Sequence, residues 1–169
     1  PNQAAMRAEL AAGRADIAAA QLSADDAWLK AGDAARPYEE VEQLVVYRRG
    51  EKRPRGTIQL EEARLSVRAG SPQERVLQKL KDTVAPNLEW VVTAPSSADP
   101  LEDVESGQAN YAIVDAREYS FARHLYANVA VGFTLPATRP AQWIVRNNAR
   151  DLVRSVNEFF DEIRQSGVL

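Results

Sequence analysis

Apolar residues recur along this chain at two alternating spacings, one near 3.6 and one that is strand-like. Met6 and Leu10 stand at i, i+4 in a segment closed by Gly13, which predicts a helix over 3–12. A short apolar strand is expected over 16–22, a polar loop over 23–36 and a strong strand over 41–48. A loop rich in Arg, Pro and Gly follows to Gly56, and the next strand is expected over 64–69. Gly70-Ser71-Pro72-Gln73-Glu74 then carries a turn, an N-cap Ser, a Pro at the first helical position and a Glu at the third. In that capping box the Ser oxygen takes the third helical N–H and the Glu reaches back to the Ser N–H. The helix it opens, to about Val84, puts Val76, Leu77, Leu80 and Val84 on one face. A strand over 88–94 comes next, then a short helix capped by Asp99 and ended by Gly107. A buried strand over 111–114 ends at Asp115, and a helix is expected over 118–126. Two separate strands, 129–135 and 142–146, precede an amphipathic helix over 151–165. Strands alternating with helices argue for an α/β fold with a largely parallel sheet.

Composition narrows the classes without choosing among them. The 169 residues are 45% apolar and 27% charged, with a net charge of −3, so no basic field marks a nucleic-acid binder. Apolar runs such as Ile17–Ala20 and Leu44–Tyr47 are too short to span a membrane. The opening Pro1-Asn2-Gln3-Ala4 is not a signal peptide, and the chain reads as a processed or cut piece. Without Cys there are no disulfides or thiolate metal sites, and the single His124 provides neither a His-based zinc site nor a complete catalytic triad. No cofactor, metal site or catalytic centre is expected.

Two strand ends carry the candidate chemistry. At Gly70-Ser71 the free N–H groups of a helix start could seat a carboxylate or phosphate; equally, Ser71 could serve only as a cap. Asp115, closing a strand where open sheets place ligands, could receive an ammonium or could cap the next helix. The basic cluster Arg48, Arg49, Lys52, Arg53 and Arg55 lacks aromatic interleaving and reads as a solvated loop. Adjacent acids such as Asp25-Asp26, Glu39-Glu40 and Glu61-Glu62 do not converge as acid–base pairs. Glu105-Ser106 resembles the catalytic dipeptide of lysozyme-like transglycosylases, but Gly107 follows at once and the dipeptide reads as coincidence. Trp28, Trp90 and Trp143 are either core residues or sugar-stacking surfaces.

The order 16–22, Pro37-Tyr38, 41–47, 64–71, 101–115 and 159–169 resembles the family-3 periplasmic solute-binding proteins. Glu105 to Asp115 is similar to that family's short helix, Gly, strand and Asp. Within the family, 43–50 and 53–55 resemble the N-terminal regulatory domain of the lytic murein transglycosylase F family. The resemblance implies a type II periplasmic-binding-protein-like fold with two lobes joined by hinge strands (44–48 and 142–146). Expected boundaries are 1–46 for an incomplete first lobe, 47–141 for the second, and 142–169 for a hinge strand and C-terminal helix returning to the first. The family's carboxylate-binding Arg position holds Trp28, which argues against a free amino acid as ligand.

The resemblance implies a ligand captured between the lobes by Ser71, Gly70 and Asp115, with Gln21 and Ser23 contributing from the first lobe. It further implies a stem peptide or muropeptide of peptidoglycan as partner, and a C-terminal transglycosylase domain under allosteric control. The expected location is the periplasm, in association with the outer membrane. Two alternatives stay open: a solute receptor of an ABC importer for a small polar molecule, and a structural or assembly module. A stand-alone enzyme is the weakest reading.

Overall fold

The computed structural model describes residues 3–93 and 99–167. In chain order the elements are α1 (Gln3–Ala11), β1 (Ile17–Leu22), α2 (Asp26–Leu29), β2 (Gly32–Ala34), β3 (Glu39–Arg48), β4 (Leu65–Arg68), α3 (Pro72–Thr83), β5 (Val91–Thr93), α4 (Pro100–Ser106), β6 (Tyr111–Asp115), α5 (Ala116–Ala122), β7 (Val129–Arg146) and α6 (Arg150–Gln165). A single 3-10 turn, Thr57–Leu60, lies between β3 and β4.

The chain divides into two units, the first made of Pro1–Glu40 with Pro140–Leu169 and the second of Val41–Arg139. It therefore passes between them twice, once within β3 and once within β7. The division falls at Glu40/Val41 and Arg139/Pro140, whereas the boundaries expected from the sequence lie at 46/47 and 141/142.

In the first unit the last residues of β7 are paired on both sides, antiparallel to β1 (Ile17↔Val145) and to β2 (Asp33↔Val145). Leu10, Ala18, Leu22, Trp28 and Ile144 form one core, and Val145, Val156 and Phe160 centre another. α6 is held by stacking of Phe160 on Tyr38, with ring centroids 4.7 Å apart, and by its edge contact with Trp143. The polar stretch 23–36 is not the loop its composition predicts. Asp25 accepts the Trp28 N–H and caps α2, and burial of Trp28 to 1% exposure makes one helical turn worthwhile.

In the second unit β4 is parallel to both β5 and β6, while β6 is antiparallel to β3, so the sheet is mixed rather than largely parallel. Val45, Leu60, Leu65, Val67, Leu77 and Ile113 pack on one side of this sheet and Leu44, Val46, Leu101, Val104 and Val114 on the other. That accounts for the unbroken apolar runs in β3 and β6, since both faces of each strand are covered. β7 is one continuous strand, not two, although Pro136 and Pro140 interrupt its sequence pattern. β5 is shorter than the expected strand and leaves Val91 62% exposed; Ala94, at the end of that expectation, lies outside the described residues. α5 starts at Ala116, earlier than expected, and ends at Ala122.

Candidate functional site

Three features of the second unit converge on the edge where β4, β5 and β6 end and α3 and α5 begin. β4 runs into Gly70, whose φ of +65° makes the tight turn and favours Gly. Ser71 then caps α3, its hydroxyl accepting the Glu74 N–H at 3.2 Å. The second half of the box differs from expectation: the Glu74 carboxylate accepts the Gly70 N–H at 2.7 Å, while the Ser71 N–H donates to the Arg68 carbonyl. The Ser71 hydroxyl and the Gly70 and Ser71 N–H groups are thus taken up by the turn and the cap. Gly70, Ser71, Glu74, Arg75, Gln78 and Trp90 line a depression of about 240 Å³, and Asp115 is not part of its wall.

Asp115 stands at the N-cap position of α5, yet its side chain makes no capping bond. It faces the sheet instead. The β3–β6 register sets Gln43 directly opposite, and Gln43 Nε2 donates to Asp115 Oδ1 at 2.6 Å. Gln73, two residues beyond Ser71, donates its Nε2 to the same oxygen at 2.6 Å. Arg139 Nη2 bonds Oδ2 at 2.6 Å in an ion pair whose side chains are 7% (Arg) and 14% (Asp) exposed. One carboxylate therefore ties together β3, β6, α3 and β7. Gln43 is wholly buried; its Nε2 also reaches the Val41 carbonyl, and its Oε1 has no donor among the described residues.

A second pair lies beside the first. Arg68, the last residue of β4, bonds Glu118 of α5 at 3.0 Å. Burial pushes the Glu118 carboxyl above the usual glutamate range; Arg68 pulls against this, and the negative charges of Asp99 and Asp115 add to the rise. The edge is a set of partly desolvated charges held in ion pairs.

The structure thus brings Ser71 and Asp115 to one region through Gln73. Asp115, expected to receive a ligand's ammonium, already holds the guanidinium of Arg139. Ser23 lies in the first unit and donates to the Pro140 carbonyl at 3.1 Å. The side chain of Gln21, also in that unit, lies outside the described residues. Gln43, Gln73, Arg139, Arg68 and Glu118 were missed by sequence reasoning. A Gln within the run Val41–Val46, and an Arg in the middle of a long strand, were the available signals.

The remaining candidates are engaged by neighbouring residues. Trp28 is core, with the Arg7 guanidinium 5.4 Å above its ring, and Trp143 packs on Phe159 and Phe160. Trp90 packs partly against the second unit's core, under the Lys81 ammonium. In the exposed basic loop, Arg53 bonds the Gly132 carbonyl twice. The Glu105 carboxylate accepts from the Asn128 backbone N–H and side-chain amide.

The model of the bacterial extracellular solute-binding proteins, family 3, matches residues 2–169. The chain belongs to this family. Curated relatives include the membrane-bound lytic murein transglycosylase F of Photobacterium profundum, 34% identical over 80% of this chain and 27% of that protein. The protein of the same name from Salmonella arizonae is 32% identical over 86% of this chain and 29% of its own length. The chain thus spans between a quarter and a third of these relatives. Among solved structures, the substrate-binding protein of an amino acid ABC transporter superposes with a TM-score of 0.78 at 20% identity, covering 99% of this chain and 73% of that one. An ancestral arginine-binding protein bound to arginine gives 0.76 at 18% identity, over 96% and 71%. The fold of this family-3 member is therefore that of the periplasmic amino-acid-binding proteins, as the order of its segments had implied.

Proposed function

We propose that this chain is the ligand-binding regulatory domain of a peptidoglycan lytic transglycosylase. It senses a stem peptide or muropeptide and controls a catalytic domain outside this chain by allostery. The parent protein works in the periplasm, associated with the outer membrane. Ser71 and Asp115, with Gly70 beside them, form the ligand-binding edge of the second unit.

The observation that carries this reading is the bonding of Asp115. Its partners include Gln43 on β3 and Arg139 on β7, the two strands by which the chain leaves the second unit. A ligand bonded at Asp115 bears on both connections at once through these bonds, without having to break them, which gives a binding event a mechanical output. Allostery requires such a differential contact between two states. The relatives' names supply the catalytic context.

Titration calorimetry of a purified muropeptide tests the reading. Wild type is expected to bind; Ser71→Arg, which pushes a long side chain into the edge, and Asp115→Asn are expected to weaken binding by at least about tenfold, or roughly 1.4 kcal/mol. Unchanged affinity in both variants rejects the assignment. A second reading, a receptor for an ABC importer, is favoured by the solved structures of that fold. Tight binding of L-arginine or L-glutamine by wild type would select it.

A further inference from the structure

Asp115 occupies the strand end at which a ligand's ammonium would be expected, and the chain has filled that position itself. Oδ1 takes two amide donors, from Gln43 and Gln73, and Oδ2 takes the Arg139 guanidinium. The charge of the carboxylate is already balanced. Oδ2 keeps a further acceptor site, but an ammonium bound there shares a single negative charge with the Arg139 guanidinium, and pairing free of that repulsion requires displacing Arg139. That separates a guanidinium whose side chain is 7% exposed from the carboxylate paired with it, and separating a buried pair costs more than a new pair of the same kind returns. A neutral amide nitrogen carries no charge to be balanced and leaves the Asp115–Arg139 pair intact.

We infer that Arg139 is a specificity-determining residue that stands in for a ligand's ammonium, so that the site selects a peptide whose amino terminus is acylated and rejects the same peptide with a free amine. This rests on the reading of the Asp115 edge as the ligand site, and it narrows the ligand class within that reading.

The probes are L-alanyl-D-isoglutamine and its N-acetyl derivative, titrated calorimetrically into the whole chain. Wild type is expected to bind the acetylated form at least about tenfold more tightly. Arg139→Met, which keeps the apolar stem and removes the cation, is expected to abolish or reverse that preference, and Arg139→Lys to keep it. Equal or tighter binding of the free amine by wild type overturns the inference. If neither probe binds wild type, the cell-wall reading is what fails, and L-arginine then decides the role of Arg139. Binding gained by folded Arg139→Met, or by Arg139→Gln should the Met variant not fold, and absent in wild type, supports the stand-in. No gain in a folded variant overturns it.

Discussion

Asp115 and Arg139 show how a buried pair weighs differently when broken and when replaced. Removing one member leaves an uncompensated charge in low dielectric, whereas replacing both by apolar groups of similar size removes the desolvation cost as well. Asp115→Ala is therefore expected to cost about 3–5 kcal/mol in urea unfolding. Asp115→Leu combined with Arg139→Met is expected to recover most of that loss. A double variant no more stable than the single would show that Gln43 and Gln73, rather than the ion pair, determine the energy of the cluster. The amides are part of the same accounting, since each gives its Nε2 to Oδ1 and would lose a charged acceptor.

Between elements, the Arg68–Glu118 pair links the end of β4 to the first turn of α5. Burial raises the Glu118 carboxyl above its unfolded value, so the folded state binds its proton more tightly than the unfolded chain does. The stability this contributes is fully present below the ordinary glutamate range and is lost as pH rises through the folded value. Glu118→Gln removes the titration. Its urea midpoint relative to wild type is expected to move in the variant's favour from about pH 4 to about pH 7. A shift toward wild type over that interval would mean that Arg68, not burial, dominates. Helix starts at this edge obey local rules more closely, as Ser71 and Asp99 both cap their helices as the sequence predicts.

For the whole molecule, the relevant fact is that each unit has its own core. Trp28 belongs to the core of the first unit and Leu77 to that of the second, and no described residue belongs to both. Each Ala substitution is expected to cost roughly 2–5 kcal/mol, the Trp toward the upper end. Because the sites are independent, the double variant should lose the sum to within about 0.5 kcal/mol. Thermal or urea unfolding of the single and double variants measures this. A double loss well short of the sum would show that the two cores are energetically linked.

What the chain determines by itself is the local grammar: capped helices at Ser71 and Asp99, the left-handed stop at Gly107, and apolar runs in the strands that are buried on both faces. Those signals lie within a few residues of one another, so a single sequence carries them, and the order of segments carried the family. Where the pattern was interrupted, reading failed for physical reasons. Prolines within β7 imitated a break, and the buried Trp28 turned a polar stretch into a helix and a strand. Only the tertiary structure decided the state of the site. Gln43, Gln73, Arg139 and Asp115 are separated by long stretches of chain, and their meeting depends on strand register and on where β7 crosses. Local propensity does not encode long-range pairing, so a carboxylate that looked open in the sequence proved to be filled by the protein's own guanidinium.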